Sequence, residues 1–143
     1  MEQRISFITL GVADLDRSEA FYKGLGWTPS GSGVPGQIVF FQLNGIVLGL
    51  FGRQALADDA GLPNAPPAPF SGVTVSHNVR SEEAVETALA EAVAAGAKVL
   101  KNPHKAHWGG RIAYFADPDG HAWEICFNPF APILEDGSIK LTK

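Results

Sequence analysis

The sequence predicts an α+β fold made of two successive modules. Three observations carry that prediction. A strand–helix–strand pattern opens each half of the chain, a proline-rich connection separates the halves, and a strong hairpin signal closes the second. The expected order in each half is strand, helix, strand, strand, strand. Two such βαβββ modules, with mixed or antiparallel sheets set edge to edge and helices outside, enclose a cleft. The expected divisions are a first module over 1–53, a linker over 54–69, a second module over 70–129 and a C-terminal tail over 130–143.

The elements follow from local pattern. Residues 4–12 (RISFITLGV) alternate, with Ile8, Leu10 and Val12 on one face and Phe7, Thr9 and Gly11 on the other. Asp14 is placed to cap the next helix, in which Leu15, Ser18, Phe21 and Tyr22 share a side and Gly24 and Gly26 mark the end. Residues 28–36 (TPSGSGVPG) are turn-rich, and residues 37–43 and 45–51 read as two apolar strands around the Asn44-Gly45 hairpin signal. A short helical turn over 54–60 leads to the irregular connection 62–69 (LPNAPPAP).

The order then repeats. Residues 70–79 form a strand with Val73, Val75, His77 and Val79 on one face and Thr74, Ser76 and Asn78 on the other. Ser81, Glu82 and Glu83 begin an amphipathic helix whose Val85, Leu89 and Val93 point one way, and Gly96 stops it. A short strand is expected over 98–101. Residues 108–127 (WGGRIAYFADPDGHAWEICF) follow as two strands joined at Asp117-Pro118-Asp119-Gly120, the residue chemistry of a type I turn. On its last strand the bulky Trp123, Ile125 and Phe127, with His121, face a helix layer, and Ala122, Glu124 and Cys126 face the opposite side. The tail contains a turn at Glu135-Asp136-Gly137.

Composition narrows the function classes. With 143 residues and 45% hydrophobic content the chain can bury a substantial core. Its net charge of −4 and dispersed basic residues argue against a nucleic-acid partner. Cys126 is the only cysteine, which excludes an intramolecular disulfide and suits a reducing, cytoplasmic setting. No stretch has the apolar length of a membrane span, and the N-terminus lacks the marks of a signal peptide.

Residues 9–22 (TLGVADLDRSEAFY) and 116–125 (ADPDGHAWEI) resemble the opening strand–helix and the closing hairpin of the glyoxalase/bleomycin resistance protein/dioxygenase family, the vicinal oxygen chelate superfamily. The element order of both halves is similar too. The resemblance implies paired βαβββ modules forming a cupped sheet around a ligand or metal cavity. It also implies four strand positions that carry metal ligands in metal-dependent members. Glu124 matches the last of these. The others fall on Phe7, on Thr74 and near Gly49, none a metal-ligating residue type. One carboxylate does not fix a catalytic divalent ion, which takes three or more protein donors or substrate chelation. The expected cofactor is therefore none, with one divalent metal ion as the alternative.

The expected ligand-binding residues are Phe7, Thr9, Thr74, Ser76, His104, His107, Trp108 and Glu124, with Glu124 the candidate catalytic group. Phe7, where a metal ligand would stand, makes a drier cavity suited to a planar or apolar group. His104 and His107 flank a proline-led loop beside Trp108, at the expected mouth of the cavity. Glu124 is open between two roles: a functional carboxylate, or a structural one bonded to Arg111 or to backbone amides. His77 reads as a half-buried structural histidine, and His121 faces the helix layer or solvent. Cys126 is an apolar filler, lacking the basic neighbour that reactivity needs. The GxGxxG match at 31–36 precedes a strand instead of following one, so it is not a phosphate loop.

The expected function is binding or sequestration of a small organic molecule, cationic or rich in hydrogen-bond donors. The rival is an enzyme: a metal-dependent lyase, isomerase or dioxygenase, or a metal-free lyase with Glu124 as base. A third possibility is a filled cavity and action through a partner surface. The expected partners are that small molecule and, by family resemblance, a second copy in a homodimer. Neither nucleic acid nor membrane is expected.

Overall fold

The computed structural model describes residues 1–66 and 68–141. The chain divides into two compact units, Met1–Pro69 and Phe70–Lys143.

In the first unit, β1 (Phe7–Val12) and β3 (Val47–Gly52) pair in parallel, and β2 (Ile38–Gln42) pairs antiparallel with β3. A parallel pair needs a crossover, which α1 (Leu15–Gly24) provides. Asp14 caps α1 as its pattern predicts, accepting from the Arg17 N–H at 3.0 Å. The alternation of each strand then sorts side chains by face. Leu10, Val12, Phe41, Leu48 and Leu50 lie on the face that α1 covers with Ser18, Phe21 and Tyr22, and all are buried. The Tyr22 ring stacks on Trp27 and tilts against Phe41, with centroids 5.6 and 5.8 Å away.

This sheet has three strands, whereas the sequence pattern suggests four. Residues 28–36 pair only through the isolated bridge Val34–Ile38 and the Ser30 N–H to Phe40 carbonyl bond of 2.7 Å. Three glycines and two prolines in nine residues remove both donors and conformational bias, so no continuous ladder forms.

After β3, α2 (Arg53–Asp59) is a full seven-residue helix. Arg53 ties the connection down: Nε donates to Asn64 Oδ1 and an Nη to the Ala65 carbonyl, both at 2.9 Å. Asn64 donates in turn to Gln54. Residues 62–66 thus have no regular structure but a definite path.

In the second unit the sheet order is β4-β7-β6-β5, with β4 (Val75–Asn78) parallel to β7 (Ala122–Phe127). Strand β6 (Arg111–Ala116) is antiparallel to both β7 and β5 (Lys98–Lys105). Between β4 and β5 runs α3 (Glu83–Ala95), which covers one face with Val85, Leu89 and Ala92. Val93, expected on that buried stripe, is exposed, and Ala92 takes its place. Opposite α3 lie Ala113, Phe115, Trp123 and Ile125, with the Phe115 and Trp123 rings parallel to within 2°.

Two strands differ from their sequence-based limits. Residues 70–74 precede β4 without joining it, and β5 continues to Lys105 instead of ending at Lys101. The extension absorbs Pro103 because β5 is an edge strand with register shifts after Val99 and after Lys101. The tail closes on itself at the bridge Ile133–Ile139, and Arg80 donates to the carbonyls of Ile133 and Leu134 at 2.9 and 3.1 Å. Among the described residues, no helix is long and apolar enough to cross a membrane.

Replacing Arg53 by Met keeps the carbon stem that packs near Gly11 and removes the bonds to Asn64 and Ala65. Limited thermolysin digestion should then cleave beside the exposed Leu62 faster than in the parent, with thermal stability changed by no more than about 1 kcal/mol. Equal cleavage rates would show that the guanidinium does not hold the connection.

Candidate functional site

The hairpin turn sets the geometry of the second unit's open face. Asp117 Oδ1 accepts the backbone N–H groups of Asp119 and His121, both at 2.9 Å. The Gly120 N–H reaches the Asp117 carbonyl at 3.0 Å, and Gly120 takes φ 88°. This is a type I turn followed by a left-handed glycine, and it fixes the pairing of β6 with β7. Tyr114 lies opposite Glu124, and on the other side of β7 Ser76 lies opposite Glu124 as well.

The three side chains form a hydrogen-bonded row across the sheet. Ser76 Oγ donates to Glu124 Oε2 at 2.6 Å, and Tyr114 Oη donates to Oε1 at 3.0 Å. Glu124 and Tyr114 are half-buried and Ser76 is exposed. Burial, reinforced by the bond to Glu124, holds the Tyr114 phenol above its ordinary ionisation range. Burial, with the nearby Glu124 charge, pushes the Cys126 thiol up to about 11, so it stays a neutral, unreactive group. Glu124 does not bond Arg111. That guanidinium lies on the α3 face, where its Nε donates to Glu86 at 2.8 Å, and among the described residues no Lys, Arg or His pairs with Glu124.

The other sequence-predicted residues are placed less closely. Thr74 lies just before β4 and is exposed. His104 lies within β5, not in a loop, and its Nδ1 shares a hydrogen bond with the Asn102 carbonyl at 2.9 Å. His107 is exposed in the turn that joins β5 to β6. The Trp108 ring packs over Gly110, where an added Cβ would come within 2.0 Å of it. Gly110 is four residues from Tyr114, about 13 Å along an extended strand. His77 faces the α3 side and is exposed, not half-buried; partial desolvation by its neighbours lowers its pKa more than the Glu91 charge raises it.

In the first unit, Phe7 and Thr9 share the face away from α1, and Thr9 is the register partner of Gly49. Phe7 is 54% exposed and meets the Phe40 ring edge-on, with centroids 5.8 Å apart. An added Cβ at Gly49 would stand 3.2 Å from Thr9 Oγ1 and 3.3 Å from the Phe40 ring. A metal-ligating side chain at 49 would have to displace that ring.

The sequence pattern of the Glyoxalase/Bleomycin resistance protein/Dioxygenase superfamily matches residues 4–125. The chain belongs to this superfamily. A glyoxalase-related enzyme from Fulvimarina pelagi is 39% identical, with a TM-score of 0.88 over 99% of this chain and 100% of that one. A glyoxalase/bleomycin resistance protein/dioxygenase from Nocardioides is 29% identical, with a TM-score of 0.73 over 89% and 84%. A lactoylglutathione lyase from Agrobacterium tumefaciens is 25% identical, with a TM-score of 0.68 over 90% and 96%. No curated protein matches the chain.

Superfamily membership makes the metal question concrete. Phe7, Gly49 and Thr74 supply no carboxylate, imidazole or thiolate at their positions. Among the described residues, no three His, Cys, Asp or Glu side chains gather to hold a metal ion. The residues present do not fit a four-ligand superfamily centre. Tyr114 is the site residue that the sequence reading passed over. Counting back through the turn from Glu124 places it directly opposite, a signal available from the hairpin register alone.

With Tyr22 replaced by Phe, Tyr114 is the single remaining tyrosine and its ionisation can be followed by ultraviolet difference absorbance. Adding Glu124→Gln removes the charge and should bring the Tyr114 pKa down toward the ordinary value of 10.0. Burial still acts, so part of the elevation persists. An unchanged titration would mean that the Tyr114–Glu124 contact does not exist in solution.

Proposed function

We propose that this superfamily member binds a small organic molecule on the open face of the β4-β7-β6-β5 sheet, without a bound metal ion. The observation that supports this reading most is the state of Glu124. It is the one ligand-type side chain at the four positions implied by the superfamily, and each of its oxygens already accepts a hydroxyl hydrogen bond. A carboxylate prepared in this way is an oriented acceptor. Its flanks, Ala122 and Cys126 on β7 with Ile112 and Ala116 on β6, are small or apolar and suit the carbon skeleton of a ligand. Phe7 and Phe40 give the first unit an apolar face of its own, equally suited to an organic group.

The test is the metal content of protein purified without a metal-affinity tag, before and after incubation with Zn²⁺, Ni²⁺, Mn²⁺ and Fe²⁺. The expected result is no stoichiometric ion under any of these conditions. About one tightly held ion per chain, lost in Glu124→Ala, would replace this reading with a metal-dependent lyase, isomerase or dioxygenase. A thermal-shift screen of small organic compounds supplies the positive arm. A bound compound at about a hundredfold over its Kd adds about 2.7 kcal/mol of stability.

A further inference from the structure

We infer that the Ser76–Glu124–Tyr114 row recognises a primary ammonium group carried on an apolar skeleton. This inference rests on the metal-free binding reading above and names the chemistry of its ligand. The argument begins with hydrogen-bond supply. Both hydroxyl hydrogens of the row point into Glu124, so Ser76 and Tyr114 have no donor left for a ligand. What remains on the row is acceptor capacity alone: the second lone pairs of the carboxylate and the free lone pairs of both hydroxyl oxygens. An ammonium offers three N–H donors and no acceptor, and two of them can meet a carboxylate oxygen and the hydroxyl beside it. A ligand carboxylate or phosphate would find acceptors facing acceptors.

Charge leads the same way. Glu124 is half-buried and has no cationic partner among the described residues. A partly desolvated carboxylate gains most from a counter-charge, and a ligand cation supplies it. The skeleton then lies against the half-buried Ile112 on β6, beside the buried, neutral Cys126 on β7, the next pair along the sheet from Tyr114 and Glu124. Lys101 is paired with Tyr114 on the far side from Glu124 and is exposed. It is the group on which an anionic ligand would instead depend, which makes the two chemistries separable.

The experiment measures binding of hexylamine, hexanol, hexanoate and hexyltrimethylammonium by calorimetry to the intact protein and to Glu124→Gln, Tyr114→Phe and Lys101→Ala. Hexylamine should bind more tightly than each of the other three by at least about tenfold, the scale of one charge-assisted hydrogen bond. Glu124→Gln should lose that preference, Tyr114→Phe should weaken it, and Lys101→Ala should retain it. Far-ultraviolet dichroism of each variant separates lost recognition from lost fold. Absence of hexylamine binding overturns the inference. Equal binding of hexanol overturns it too, but leaves the small-molecule reading standing. Hexanoate binding that disappears in Lys101→Ala overturns it in favour of an anion. Tight hexyltrimethylammonium binding, which involves no N–H donor, overturns the hydrogen-bond argument. Stoichiometric metal in the preceding assay is a separate failure, that of the metal-free reading itself.

Discussion

The register of β6 against β7 is the constraint on which the second unit depends. Side chains alternate faces along a strand, so a slip of one residue would carry Trp123 and Ile125 away from α3 and turn Glu124 into the core. The Asp117–Gly120 turn prevents that slip because the N–H groups of Asp119 and His121 donate to the Asp117 side chain and that of Gly120 to its carbonyl. Asp117 is itself buried, so the turn is anchored in the unit and does not hang from its end. With register fixed, Phe115 stacks on Trp123 on the helix side of the sheet and Tyr114 meets Glu124 on the opposite face. Packing on one face and chemistry on the other come from the same pairing.

The first unit solves a similar problem with different residues. Its helix face is aromatic, with Tyr22 held among Phe21, Trp27 and Phe41. Its opposite face carries Phe7 and Phe40 around Gly49, so the two positions there at which the superfamily resemblance implies metal ligands hold a phenyl ring and a glycine. Those positions offer a metal ion no donor. A lone carboxylate needs hydrogen bonds to be tolerated half-buried, and Ser76 and Tyr114 supply them.

Edges and connections show where local rules yield to their surroundings. A proline ordinarily argues against a strand, yet Pro103 lies inside β5 because that strand is at the sheet edge and its ladder is already broken nearby. The glycine- and proline-rich residues 28–36 stay turn-rich as their composition predicts, contributing one bridge and no fourth strand. Residues 62–66 have no ladder at all, and side chains of α2 hold them instead.

The sequence by itself determined the α+β class, both strand–helix openings, the two hairpins and the face on which Glu124 stands. Each of these rests on short-range patterns: alternation, capping by Asp14, and the turn chemistry of Asp117-Pro118-Asp119-Gly120. Ser76 was also legible, because the alternation of its strand sets it opposite to His77. Tertiary structure alone decided what those faces touch. Arg111 was available to Glu124 by composition, but pairing across β6 and β7 sends it to Glu86 on α3. Val93 fits the apolar stripe by spacing, but Ala92 is the residue buried there and Val93 stays in water. The length of β5 depends on the strand beside it, and a pattern read along one strand carries no information about the register of a neighbour that no tight turn joins to it.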